Sequence, residues 1–466
     1  SELAPIARWL GAARAIDLDA LAGFLCLNFV PLERTLMAGV KRLAPGTLRR
    51  YGPRGLVRER RFYRPEPAAD APERLEDVVD AVRARLDEAV RIGLRSDVPL
   101  ALFLSGGIDS SLVAESAVRQ GHLTAAFCLD VDAPTFSEWD NAQWVATRLG
   151  LRLERVRLGP EVLDDFFDIV AHADDPLGDS SAAAVWQLAR GTAREFKVAV
   201  SGDGGDELFG GYLTYKATAL HRATTSRLGE RARDALHAAS SRLSASETKV
   251  STTYKLLRFL RAAHLPPSQA HFTWNGAFMP EQAARLVSGD AAKALARGAV
   301  AELAERHAMS TRPTLGELQR VDASEFLPND ILVKVDRMTM AHSLESRAPL
   351  LDHALAGIAL ASTPRFEQTP LHKPKRVLRM LADRVYGPRV SRAKKQGFSI
   401  PIHAWLRGRR ALVEDLLSAE SVARVGVLDV AEVARIRDRF LVREEPLGFE
   451  VWGLMVLVAW HRARVA

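Results

Sequence analysis

KVAVSGDGGDELFGGY, residues 197–212, is one half of a pair, and PLALFLSGGIDSS, residues 99–111, is the other. Each half is an apolar run that ends in Ser-Gly, further glycine and an acidic residue. Short apolar runs bounded by glycine read as buried strands. Two of them, each followed by a Ser-Gly turn, predict parallel strands that carry phosphate- and metal-binding groups to one edge of a sheet. One glycine-rich turn would be weak evidence. Two with matching acids are strong.

Outward from this pair the chain alternates. Strands are expected at 100–104, 125–129, 153–156 and 198–200, with helices at 110–120, 138–149, 161–171 and 182–196 between them. Alternation of this kind predicts an α/β fold with a doubly wound parallel sheet, whose ligands sit beyond the carboxyl ends of the strands. After Tyr212 the strand signals stop. Residues 213–310, rich in Ala, Arg and Leu, read as a helical insertion, and 311–466 as a further helical part that closes the active site. Upstream, Leu75, Val78, Val79, Val82, Leu86, Ala89 and Val90 recur at helical spacing. Residues 65–72, PEPAADAP, read as a linker. The expected organisation is therefore a junction over 1–70, too small and Pro-rich for its own core, and a catalytic unit over 71–466 whose nucleotide core is 71–212.

The residue types in the two turns point to phosphate chemistry. Gly106 and Gly107 let backbone approach an anion without a Cβ in the way, and the following helix presents its first amides to that anion. Ser105, Ser110 and Ser111 add hydroxyl donors. Asp109 would repel a naked phosphate, which implies a bridging cation, most simply Mg²⁺. This is not the GxxxxGK[ST] phosphate loop, because no lysine lies in the turn. In the second turn Asp203, Asp206 and Glu207 fall within five residues. Carboxylates so crowded repel unless they share a cation or a basic side chain.

Composition narrows the class. With 47% hydrophobic and 26% charged residues the chain reads as an ordinary globular protein. Two cysteines, Cys26 and Cys128, make no disulfide framework, so cytoplasm is the expected compartment. The net charge of +7 is spread through helices rather than gathered on one face with aromatics, so no nucleic-acid partner is expected. No membrane partner is expected either. The apolar run 453–460 is far short of the ~20 residues that span a bilayer, and the start lacks a signal-peptide pattern.

SGGIDSS resembles the pyrophosphate loop of N-type ATP pyrophosphatases, and SGDGGDELFGGY narrows the resemblance to the asparagine synthetase family of amide-forming ligases. Further matches follow in the family's order. They are Asp174-Asp175-Pro176 with Asp179-Ser180-Ser181, then LPNDILVKVDRMTMAHSLESRAPLLD (residues 327–352), then RAKKQGFSIP (residues 392–401). TLMAGVKRLAPG (residues 35–46) is similar to the family's segment joining its two domains. The resemblance covers essentially the whole chain and implies a sheet of the N-type ATP pyrophosphatase kind with large helical additions after it.

It also implies an activity, with ATP as substrate and Mg²⁺ as cofactor. A carboxylate, the aspartate side chain first among candidates, is adenylated, and ammonia then displaces AMP to give the amide. Carried over residue by residue, Ser105, Gly106, Gly107, Asp109, Ser110 and Ser111 bind the β,γ-pyrophosphate. Leu104, Leu129, Ser201 and Gly202 hold adenosine, and Asp109 and Asp206 ligate the metal. Asp203 takes the acidic position associated with forming the acyl-adenylate. Glu345 matches a second acid facing the reacting centre, the alternative being a partner for neighbouring Arg347. Lys395 matches a lysine that contacts phosphate during adenylation, the alternative being part of an exposed basic loop.

Departures from the pattern bear on the acceptor and the nitrogen source. The family usually carries an amino-terminal glutaminase domain that opens on a nucleophilic cysteine. This chain opens on Ser1, and Ser1-Glu2-Leu3 resembles the last strand-turn of such a domain. The expected partners are thus a small carboxylate, ammonia and a glutaminase domain or subunit that supplies it, with room for a homodimer. Asp130, Ser137 and APLLD also depart from the usual pattern. They leave open another carboxylate, such as a sugar acid, β-amino acid or peptide side chain. A binding module without catalysis would lack the metal acids, and a tRNA-modifying pyrophosphatase would need thiol chemistry that two unspaced cysteines do not offer.

Overall fold

The computed structural model describes residues 2–10, 15–121, 123–133, 135–241, 252–367, 373–393 and 400–464. Strands β1 (Thr47–Gly52) and β2 (Gly55–Arg61) pair antiparallel as an outlying ribbon. The main sheet holds β3 (Leu100–Phe103), β4 (Leu123–Val131), β5 (Arg152–Leu158), β6 (Val198–Val200) and β7 (Glu345–Arg347). Its order is β5-β4-β3-β6-β7, and every neighbouring pair is parallel.

The side-chain alternation of the strands explains why both faces are covered. Leu100, Leu102, Ala126, Cys128, Val198 and Val200 pack with helices Leu75–Gly93, Ile108–Arg119, Trp139–Leu149 and Arg376–Tyr386. Their neighbours Ala101, Ala125, Phe127 and Ala199 face the other way, against helices Phe166–Ala173, Ser181–Thr192 and Gly448–Arg464. Strands apolar on both faces need helices on both, which is the doubly wound arrangement. Each fully buried Val, Leu or Phe contributes about 1.5–3 kcal/mol. The chain runs outward through β3, β4 and β5, then returns to lay β6 on the other side of β3. The turns after β3 and β6 therefore leave the same edge side by side, at the point where the strand order reverses.

Three local differences from the expected elements have physical causes. β7 carries no apolar pattern, because it is a three-residue edge strand of sequence Glu-Ser-Arg, held by backbone bonds from Glu345 N to the Lys197 carbonyl (2.9 Å) and from Ser201 N to the Arg347 carbonyl (2.7 Å). The helix expected at 161–171 begins as a 3₁₀ turn, Pro160–Asp165, and becomes α-helical at Phe166. The helix expected at 182–196 ends at Thr192, just past Gly191.

Residues upstream of the linker share the main core. Helix Leu18–Leu27 is buried from Ala20 to Leu27 and lies in the same apolar cluster as helices Asp290–Arg306 and Gly448–Arg464. Asp174 and Asp175 tie this segment down. Asp174 accepts from Leu3 N at 2.8 and 2.7 Å, and Asp175 accepts from Leu36 N at 3.0 Å and pairs with Arg42 at 2.6 Å. Among the described residues, no helix is long and apolar enough to cross a membrane.

Candidate active site

The first turn is shaped by what it has no room for. Gly106 has φ +71°, and a Cβ there would lie 2.3 Å from the Asn141 carbonyl carbon, so only glycine fits. The turn delivers the chain into helix Ile108–Arg119, whose N-cap, Gly107, offers no side-chain cap. Its leading amides thus face a ligand at the positive end of the helix dipole. Ser105 Oγ and Ser110 Oγ lie 3.1 Å apart, and Ser105 Oγ also accepts from Gly107 N at 3.2 Å.

The second turn packs directly on the first. A Cβ on Gly202 would sit 2.7 Å from Ser110 N, and one on Gly205 would meet the Asp109 carboxylate at 2.5 Å. Glycine at both positions is what lets the two turns meet. Ser201 Oγ donates to Asp203 Oδ2 at 2.7 Å, and Tyr212 donates to Glu207 Oε1 at 2.6 Å. Burial raises both carboxyls: Asp203 above the usual range, and Glu207, with Asp206 nearby, up to about 7.

The crowded acids share a basic side chain. Lys375, buried and left-handed at φ +60°, reaches Asp206 Oδ1 at 2.6 Å and also bonds Asp109 Oδ2. Burial disfavours its charge, but Asp109 and Asp206 outweigh that and hold its pKa well above the lysine range. A second buried lysine, Lys334, pairs with Asp179 at 2.5 Å, and Asp179 also accepts from Ser181 N at 2.9 Å. Burial opposes the charge of Asp179, yet Lys334 more than compensates and lowers its pKa.

These groups line one cavity of about 480 Å³, within the range usual for small-molecule sites. From the first turn Leu104, Ser105, Gly106, Gly107, Asp109 and Ser110 reach its wall. From the second come Ser201, Gly202, Asp203 and Asp206, and Leu129 joins from the end of β4. Ser111 is not on the wall. It is fully buried beneath the turn, where its carbonyl accepts from Tyr386 at 2.7 Å.

Glu345 requires a correction. It is the first residue of β7, and β7 runs parallel to β6, so it lies at the sheet edge opposite the two turns. It is exposed, bonds Arg347 Nε at 2.6 Å, and does not line the cavity. It is a partner of Arg347 and faces no reacting centre. Lys395 lies outside the described residues; Ala393, two residues before it, lines the cavity. Lys375, Lys334 and Asp330 line it too; Asp330 and Lys334 belong to the matching stretch 327–352 without having been singled out, and Lys375 carried no local signal in the sequence. Of the departures from pattern, Ser137 and Asp130 bond each other at 2.6 Å.

Among the described residues no group of three or more His, Cys, Asp or Glu side chains is arranged to hold a metal alone. Asp109 and Asp206 nevertheless converge on one cation, the Lys375 ammonium, in a space kept open by Gly205 and Gly211. Two carboxylates suit a Mg²⁺ whose other ligands are phosphate oxygens and water.

Comparison with known proteins agrees with this geometry. The chain is 28% identical to "Asparagine synthetase [glutamine-hydrolyzing] 1" of Bacillus subtilis, over 97% of this chain and 69% of that protein. It is also 28% identical to "Amidase chyE" of Penicillium rubens, over 89% of this chain and 67% of the other. "Amidase chry2" of Gibberella zeae is 26% identical over 80% of this chain and 60% of its own length. The family model described as asparagine synthase matches residues 81–462, which span the parallel sheet, both turns and the helices around them. The chain therefore belongs to the asparagine synthase family and is an asparagine synthetase-like ligase.

Proposed function

We propose that this ligase activates a carboxylate with ATP as an acyl-adenylate and amidates it with ammonia, the aspartate side chain being the acceptor. The observation that carries the reading is the meeting of the two Ser-Gly turns at the switch point, with Asp109 and Asp206 turned toward one cation. The leading amides of helix Ile108–Arg119 and the hydroxyls of Ser105 and Ser110 hold the β,γ-pyrophosphate. Ser111, buried beneath the turn, acts by holding the turn. Leu104, Leu129, Ser201 and Gly202 form the adenosine wall.

An acceptor carboxylate oxygen attacks the α-phosphorus, the bond to the bridging oxygen breaks, and pyrophosphate leaves with the electron pair. Asp109 and Asp206 would hold Mg²⁺, which when bound offsets the negative charge of the phosphates. Lys375 keeps these two carboxylates together, and Lys395 contacts the departing phosphate. Asp203, fixed by Ser201, lies beside the acyl group. Lys334, paired with Asp179, places a buried cation in the cavity wall.

The relatives named amidases favour a second reading, a different carboxylate on the same ATP site. Pyrophosphate release with ATP, Mg²⁺ and ammonium, measured over a panel of carboxylates, separates the two. Aspartate is expected to give the highest kcat/KM, and a better acceptor elsewhere in the panel would replace the first reading by the second.

A further inference from the structure

One carboxylate in the cavity is used by neither turn. Asp330 lies on the π-helical turn Leu327–Ile331 that leads into helix Leu332–Met340. Such turns break the regular bonding ladder and recur at functional sites. Asp330 is only 3% exposed and lines the cavity, yet its Oδ1 meets no hydrogen-bond donor among the described residues. An orphaned buried acceptor costs about 1–3 kcal/mol, and more when charged. Because Asp330 also lines the cavity, this acceptor is available to a donor that arrives with the ligand.

The surrounding acids are already engaged. Asp179 holds Lys334 and Ser181, Asp203 takes the Ser201 hydroxyl, and Glu207 takes the Tyr212 hydroxyl. Lys334, one helical turn beyond Asp330, is committed to Asp179. Burial first, and then the Asp179 and Glu207 charges, push Asp330 up to about 8, with Lys334 opposing. A carboxyl in that range exchanges protons readily near neutral pH. A cationic donor at Oδ1 would offset that burial and favour the charged carboxylate.

We propose that Asp330 is a catalytic residue of the amide-forming step: its Oδ1 binds ammonium and takes a proton from it, releasing ammonia beside the acyl-adenylate. This rests on the ligase reading above. An N–H bond of ammonium breaks and the proton passes to Asp330 Oδ1. The ammonia lone pair then forms the C–N bond, the acyl carbon–oxygen bond breaks, and AMP departs with the electron pair. The nitrogen's second surplus proton leaves to water.

Hydroxylamine tests this, because it is largely neutral near pH 7 and needs no such proton removal before attack. Asp330→Asn in the full chain should keep acceptor-dependent ATP–pyrophosphate exchange. Its amide formation from ammonium should fall ~10²–10³-fold while hydroxamate formation stays within about threefold of wild type. Asp330→Glu should recover much of the ammonium rate. Equal loss with both nucleophiles would overturn the proposal. So would loss of exchange in Asp330→Asn, or a raised acceptor KM for exchange, since Asp330 would then serve folding, adenylation or the acceptor's own amine. Absence of exchange in the wild-type chain with every carboxylate would instead refute the ligase reading itself.

Discussion

Lys375 shows most clearly what a single residue contributes. Its ammonium is buried between two carboxylates that would otherwise repel, so removing it leaves uncompensated buried charge. Breaking such a pair typically costs about 3–5 kcal/mol. Lys375→Met should lower Tm strongly, and Mg²⁺ should restore more Tm in the variant than it adds to wild type. Equal Mg²⁺ shifts would argue against a metal position between Asp109 and Asp206. Gly202→Ala should act sterically, pushing Ser110 from the second turn and abolishing pyrophosphate release while far-UV circular dichroism stays native. A variant with wild-type turnover would mean that the contact between the turns is dispensable. Glycines and acids of the turns were legible because each does its work within a few residues of its neighbours. Lys375 was not, since it meets Asp109 across 266 residues of sequence in a left-handed conformation rare for lysine. The family motif located Glu345 on a segment but could not say which end of a strand it would occupy.

At the scale of elements, apolar runs made β3, β4 and β6 readable, because these strands are buried on both faces, while the edge strand β5 showed only through Leu153, Val156 and Leu158 between its charged residues. β7 was hidden, since an edge strand of polar residues needs only its backbone to pair. Helix starts are fixed where side chains close local bonds. Thr314 and Glu317 form a capping box on helix Leu315–Ser324, with Glu317 accepting from Thr314 N at 2.8 Å and Ser310 N at 3.1 Å. Partial burial opposes its charge, but these donors prevail and lower Glu317 to about 2. The sign follows from linkage: its stabilisation is complete above the unfolded value of 4.5 and fades as pH falls toward about 2. Thr314→Ala should cost ~1 kcal/mol in urea unfolding at neutral pH. Glu317→Gln should be destabilising at neutral pH and approach wild type in acid. A Glu317→Gln deficit that does not shrink in acid would remove the carboxylate from this account.

The whole molecule sets the limits on its chemistry. Both cysteines of the sequence are buried, Cys26 with its thiol pushed up by burial to about 12 and Cys128 raised by the same cause. A buried, protonated thiol is a poor nucleophile. This polypeptide should therefore draw nitrogen from ammonium and leave glutamine intact, as a glutaminase assay reads directly. Glutamine-driven amidation at the ammonium rate would contradict it. The central claim is that the paired turns cleave ATP between its α and β phosphates for a carboxylate. ATP labelled at the α and γ positions, incubated with Mg²⁺, ammonium and aspartate, decides it most directly. Labelled AMP and pyrophosphate in equal amounts, formed only when a carboxylate is present, is the predicted result. ADP with inorganic phosphate, or AMP formed regardless of any carboxylate, would contradict the account.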